Sequence, residues 1–179
     1  MKLRDFLIAI LGAMGGQIQS KTKIQKLCYF LSIVLNKDFG FQAHYYGPYS
    51  QQVEEALGDL LGMGFVTKTT NNFGAISAGF EVVRYDYSLT KEGKAIYEDI
   101  QSTPESNEVI NKLKIIGDID YLKLSIAAKA HYILSKGSQA LDVSKIKDKA
   151  KSFKWNITEE DIDTAINFLE KMNLVLVAK

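Results

Sequence analysis

The side chains able to do covalent or metal chemistry are few: one cysteine, Cys28, and two histidines, His44 and His131. Neither histidine has a second His, Cys or carboxylate at the one-turn spacing of a helical zinc site, and isolated histidines are ordinarily surface or half-buried residues. Cys28 cannot close an internal disulfide. It falls on the apolar stripe of Ile24, Leu27 and Leu31, where a thiol behaves as a small hydrophobe. The chain contains no Walker loop, dinucleotide fingerprint, serine elbow or zinc pattern. The expectation is a protein with no catalytic residue, no metal and no cofactor, whose work is binding.

Two groups of residues could bind. The first is Tyr45, Tyr46, Gly47, Pro48, Tyr49, Ser50, Gln51 and Gln52, where aromatic rings, a rigid turn and a helix start converge. Pro48 fixes its own backbone, Gly47 adopts turn conformations closed to other residues, and Ser50 can cap the next helix. Helix N-termini favour anions and tyrosines offer rigid contact area, so Tyr45, Tyr46, Tyr49, Ser50, Gln51 and Gln52 form the candidate partner-binding set. The competing role is structural, with the rings packing the turn onto the preceding helix.

The second group is basic: Lys21, Lys23 and Lys26 at one helix start, Lys68 and Arg84 on a hairpin, and Lys145, Lys147, Lys149, Lys151 and Lys154 further on. The last cluster alternates with Ile146, Ala150 and Phe153 and could form a basic face beside Trp155. Charge runs are commonly solvated faces, and Asp148 dilutes this one. A DNA-reading helix presents Arg, Lys, Asn or Gln to bases and phosphates. The helix after Ser50 carries Gln51, Gln52, Glu54, Glu55 and Asp59, with no Lys or Arg, and its connection to the preceding helix exceeds a helix-turn-helix turn.

These residues must be positioned by helices and a small hairpin. Leu3, Phe6, Leu7, Ile10, Leu11 and Met14 recur at helical spacing, as do Ile24, Leu27, Cys28, Leu31, Val34 and Leu35 behind a Ser20 cap. The aromatic-rich residues 41–46 read as a short strand. Val53, Ala56, Leu57, Leu60 and Leu61 mark a third helix. Residues 65–68 and 80–87 then read as two strands around a loop at 71–79. A fourth helix begins near Lys91, and Thr103-Pro104-Glu105 signals a fifth. Further helices are expected over about 121–135, 143–153 and 158–172, the last with a Thr158/Asp161 capping box, followed by an apolar run at 174–177. Ala56, Leu57, Leu60, Met63, Phe65 and Val66 match Ala165, Ile166, Leu169, Met172, Leu174 and Val175 at a constant offset of 109 residues.

The predicted fold is therefore α+β and mostly helical: a winged-helix-like unit with a small β-hairpin over residues 1–103, then a second helical winged-helix-like unit over 104–179, packed as two units or as one globule. At 179 residues, 46% apolar and 24% charged, the composition is that of a globular protein. The net charge of +1 is balanced in both halves, so neither half is globally attractive to nucleic acid or anionic lipid. The apolar stretch at 6–14 is too short to span a bilayer, Asp5 interrupts its start, and Gly15-Gly16 reads as a helix stop. No membrane association is expected, and the protein is expected to be cytoplasmic.

Three runs carry a family resemblance: Lys21-Thr22-Lys23-Ile24-Gln25-Lys26-Leu27-Cys28-Tyr29, Tyr45-Tyr46-Gly47-Pro48-Tyr49-Ser50, and Tyr87-Ser88-Leu89-Thr90-Lys91-Glu92-Gly93. Together they resemble the YwgA-like group of uncharacterised prokaryotic proteins and, more distantly, the Panacea domain of SocA-like antitoxins. The C-terminal region resembles the YwgA-like group alone. The resemblance implies a winged-helix-related fold without enzyme activity and, for the antitoxin branch, neutralisation of a toxin by contact or by delivery to a protease. The functional expectation is an antitoxin-like or regulatory interaction protein that takes a protein partner through residues 45–52 and the adjacent helix. The alternative is a winged-helix transcription regulator whose lysines meet the DNA backbone.

Overall fold

A computed structural model describes residues 1–72, 83–137 and 143–175. The chain runs α1 (Leu3–Ala13), β1 (Gln17–Ile18), α2 (Lys21–Val34), α3 (Gln51–Gly62), β2 (Val66–Asn72), β3 (Val83–Leu89), α4 (Lys91–Ile100), α5 (Pro104–Ile116), α6 (Tyr121–Ser135), α7 (Val143–Ser152) and α8 (Glu159–Lys171). The fold is α+β and mostly helical, as its periodicity predicts.

Local chemistry sets most of the helix starts. The Ser20 hydroxyl accepts from the Thr22 and Lys23 amides, Ser50 from Val53, Thr90 from Gly93 and Thr103 from Ser106, with Pro104 in the first turn of α5. Thr158 and Asp161 form a reciprocal capping box at α8, the aspartate doing what Glu or Gln usually does. Each cap satisfies amides that a helix leaves unpaired and contributes about 1 kcal/mol.

The helices close around one large core. Residues 6–11 of α1 are all buried, as are residues 24–32 of α2. A helix buried on every side belongs at a domain centre. α1 packs on α3, α4 and α5, and α2 packs on α5 and α6. Val109, Leu113, Leu124, Ala128 and Leu169 share a continuous core with Phe6, Leu27 and Leu57, so apolar packing runs across residue 103. A second, smaller core of Ile133, Ile146, Ala150, Trp155, Ile157 and Ile162 holds α6, α7 and α8 together.

The sheet is antiparallel in the order β1-β3-β2, with Gln17 opposite Ser88 and Val66 opposite Leu89. Its two-residue strand β1 was not expected. It follows Gly15 and Gly16, whose positive φ angles of 81° and 85° turn the chain out of α1. Conversely, 41–46 is not a strand: one bridge, between Gln42 and Tyr49, replaces it. The expected strand at 80–87 is seen from Val83. Residues 80–82 and most of the 71–79 loop lie outside the described residues, as do residues 176 and 177 of the C-terminal apolar run.

The matching halves share a helix stop. Gly64 (φ 74°) and Asn173 (φ 55°) occupy the left-handed position after α3 and α8. Behind them the Phe65 amide bonds the Leu60 carbonyl at 3.0 Å, and the Leu174 amide bonds the Leu169 carbonyl at 2.9 Å. The 109-residue offset is thus a common way of ending a helix.

Candidate functional site

Residues 39–50 form a loop whose backbone is held from several directions. The Gln42 and Tyr49 main chains exchange two hydrogen bonds of 2.9 Å, and the Gly47 amide donates to the His44 carbonyl at 2.9 Å. Gly47 has φ 93°, so the turn needs a residue without a Cβ. From α2, the buried Gln25 amide group grips Ser50 at both ends, accepting from its N–H at 2.9 Å and donating to its carbonyl at 3.0 Å. Lys26 Nζ donates to the Pro48 carbonyl at 2.7 Å. The Ser50 hydroxyl also donates to the Phe39 carbonyl.

The second half of the chain clamps the same loop. Trp155 Nε1 donates to the His44 carbonyl at 2.7 Å, and Ser125 Oγ donates to the Tyr46 carbonyl at 2.8 Å. With the His44, Tyr46 and Pro48 carbonyls taken by buried donors, the backbone of the turn is held by the rest of the fold. Its rings point outward: Tyr45 is 66% exposed and Tyr46 is 45% exposed. They pack edge to face at 4.9 Å, and His44 leans on Tyr49 at 5.1 Å. Of the candidate set, Tyr45, Tyr46, Gln51 and Gln52 are exposed, Tyr49 is half-buried, and Ser50 is a buried cap.

Clefts open on both sides of Tyr46. One, about 480 Å³, is lined by Lys21, Gln25, Lys26, His44, Tyr46 and Tyr49 among others. The other, about 390 Å³, is lined by Tyr45, Tyr46, Ser125, Lys129, Lys154 and Trp155 among others. Burial, reinforced by Lys26 and Lys21, lowers the pKa of His44. Tyr49 is raised by burial and by Glu54. Lys129 is lowered by burial, which Asp161 partly opposes, and its ammonium sits 5.7 Å from the Trp155 ring centre. A larger cleft of about 720 Å³ lies elsewhere, between the end of α1, β1 and the end of α5. Its lining holds no aromatic ring and includes the Lys23–Asp118 pair.

The basic candidates do not form one surface. Lys26 is buried at 1% exposure under the turn, which corrects its placement among surface lysines. Lys21 pairs with Glu54 at 3.1 Å, Lys23 with Asp118 at 2.8 Å, Lys147 with Glu159 at 3.1 Å and Lys151 with Asp148 at 3.2 Å. Arg84 grips Asp86 through two bonds of 2.8 and 3.0 Å, and buried Asp86 also accepts from the Ser20 amide and Asn71. Lys68 lies over the Tyr85 ring, 5.1 Å from its centre. Lys145 and Lys149 are exposed on α7, and Lys154 follows that helix with φ 58°.

Cys28 is fully buried, and desolvation pushes its thiol pKa up. His131, read from the sequence as an ordinary surface or half-buried residue, is buried and shares a 2.8 Å hydrogen bond between Nδ1 and the Tyr29 hydroxyl. Burial lowers its pKa to about 4, so the ring is neutral at pH 7. Among the described residues no three His, Cys, Asp or Glu side chains gather as metal ligands, and no helix is long and apolar enough to cross a membrane.

Sequence reasoning missed Gln25, Ser125, Lys129 and Trp155. Gln25 and Lys129 are polar residues within helices, and the contact of Trp155 with His44 spans 111 positions, beyond any local pattern. No family model matches the chain. The chain is similar to a Bacillus subtilis (strain 168) protein named "Uncharacterized protein YwgA", with 24% identity over 172 residues, covering 90% of this chain and 91% of that one. The YwgA-like resemblance carried by residues 21–29, 45–50 and 87–93 thus extends through both halves of the chain.

Proposed function

We propose that the protein is a non-enzymatic interaction protein, of antitoxin or regulatory type, that engages a protein partner through the 45–52 turn and the start of α3. The supporting observation is the pairing of two exposed tyrosines with a backbone clamped by Gln25, Lys26, Ser125 and Trp155. Rigid aromatic rings bury large area at little entropic cost, which is why interface energy concentrates on such residues. A solvent-exposed pair of this size serves no purpose in the core, while the half-buried Tyr49 joins the site from one side.

A DNA-binding regulator is the second reading. The element order helix, strand, helix, helix and two strands, with sheet order β1-β3-β2, supports a winged-helix arrangement for the first unit. Its third helix would then be the reading helix, and that helix offers Glu54, Glu55 and Asp59 with no lysine or arginine. Phosphate neutralisation dominates DNA affinity, so an acidic reading helix argues against this use. Among the basic candidates elsewhere, Lys21, Lys23, Arg84, Lys147 and Lys151 are paired with carboxylates.

Placing a photo-crosslinking amino acid at position 45 in cells tests the choice. The proposal predicts adducts to a discrete protein that disappear when the turn is disrupted. Adducts to nucleic acid, or none while the protein is folded and expressed, would overturn it.

A further inference from the structure

The clefts on either side of Tyr46 share that ring and Thr22 as lining, so they adjoin as one groove. Lysines line both parts, Lys21 and Lys26 in one and Lys129 and Lys154 in the other, and no Asp or Glu lines either. The inner two flank the turn itself: a Cβ on Gly47 would stand 3.0 Å from Lys129 Cγ and 3.3 Å from Lys26 Cε. Their ammonium groups are also fixed, Lys26 by the Pro48 carbonyl and Lys129 over Trp155. Lys26 is buried and Lys21 is paired with Glu54, so the ammonium groups within reach of a partner are those of Lys129 and Lys154, on one side of an exposed aromatic ring.

Resting on the partner-binding reading above, we propose that this groove takes an extended acidic segment of the protein partner, straddling Tyr46. A carboxylate of the segment lies against Lys129 and Lys154, with uncharged residues over Tyr45 and Tyr46. Charge-assisted hydrogen bonds from partly desolvated ammonium groups are stronger than neutral ones, and preset donors lose little entropy on binding. A single-stranded nucleic acid would also find aromatic rings and lysines here. It carries a phosphate at every residue, however, and its backbone would have to continue past Glu54 and Glu55 on α3, the first of which already neutralises Lys21. A peptide places negative charge only where the groove is positive.

The test is selection of a displayed random 12-residue peptide library on the whole protein, followed by anisotropy with the selected peptides and with a labelled thymidine 12-mer. The proposal predicts enrichment of Asp or Glu next to uncharged residues, binding that weakens with salt, and at least tenfold weaker binding of the thymidine oligomer. The Lys129→Gln/Lys154→Asn variant should bind the selected peptides at least tenfold more weakly with a melting transition close to that of the parent. Absence of acidic enrichment, unchanged binding by the lysine variant, or tighter binding of the oligomer would overturn the inference. Loss of binding in Tyr46→Ala without loss in the lysine variant would leave the turn as the docking site and refute its acidic ligand. Lysine dependence without any Tyr46 dependence would refute the turn reading.

Discussion

Replacing Gln25 with Leu removes the grip of α2 on the turn while keeping an apolar side chain of similar length in a site that is 2% exposed. The Ser50 N–H loses its Gln25 acceptor at 2.9 Å and is left in a buried position, at a cost of about 1 to 3 kcal/mol. The Ser50 carbonyl loses one of two donors, retaining the Glu54 amide at 3.2 Å, for about 1 kcal/mol more. The sum is roughly 2 to 4 kcal/mol, reduced somewhat by the greater hydrophobicity of leucine. For a chain of this size a loss of about 3 kcal/mol lowers the melting temperature by about 6 to 12 °C. Thermal and urea unfolding measure the total, and amide exchange at residues 45–50 reports whether the turn loosens first. The exposed Gln52→Ala serves as the control and should change stability by about 0.5 kcal/mol or less. A Gln25→Leu protein that melts within about 2 °C of the parent and exchanges no faster at the turn would refute the claim that Gln25 holds it.

Other parts of the structure predict equally specific outcomes. The native Cys28 thiol should react with a thiol reagent only at the rate of unfolding, and fast labelling of the folded protein would show it to be accessible. His131, with its folded pKa lowered to about 4 from an ordinary value of about 6.5, binds a proton more readily when unfolded. Its contribution is therefore fully present above pH 6.5 and is lost as pH falls towards 4, to the extent of about 3 kcal/mol. The stability difference between the parent and His131→Gln should shift by that order across this window, and a flat difference would contradict it. Gly93→Ala would set a Cβ 2.0 Å from the Phe65 carbonyl oxygen, a backbone atom, so it should cost about 3 kcal/mol or more; a neutral effect would mean that the α4–β2 junction moves freely.

Helix identity was legible because its signals are local. Ser20, Ser50, Thr103 and Thr158 announce helix starts within three residues, and the stripes of α1 and α2 repeat within a turn. β1 was not legible, since two residues paired to a strand about seventy positions away leave no alternation to read. The aromatic content of 41–46 suggested a strand, but those rings serve a turn whose partners come from α2, α6 and the residues after α7. Lys26 shows the same limit. Its type says surface, and only the Pro48 carbonyl arriving from the loop makes burial tolerable. The turn itself was visible through Gly47-Pro48, while the groove around it required Lys129 and Trp155 from the second half of the chain.

If Tyr45 and Tyr46 are contact surface on a rigid turn, truncating both rings should abolish partner contact and spare the fold. With 66% and 45% of their surface already exposed, their loss should cost folding only about 1 kcal/mol each. A photo-crosslinker at exposed Gln52, read together with a thermal melt, separates folding from binding in the Tyr45→Ala/Tyr46→Ala protein. A melting temperature lowered by about 4 to 8 °C, together with loss of the protein adduct, is expected. A collapse in melting temperature of ten degrees or more, or an undiminished adduct, would contradict it.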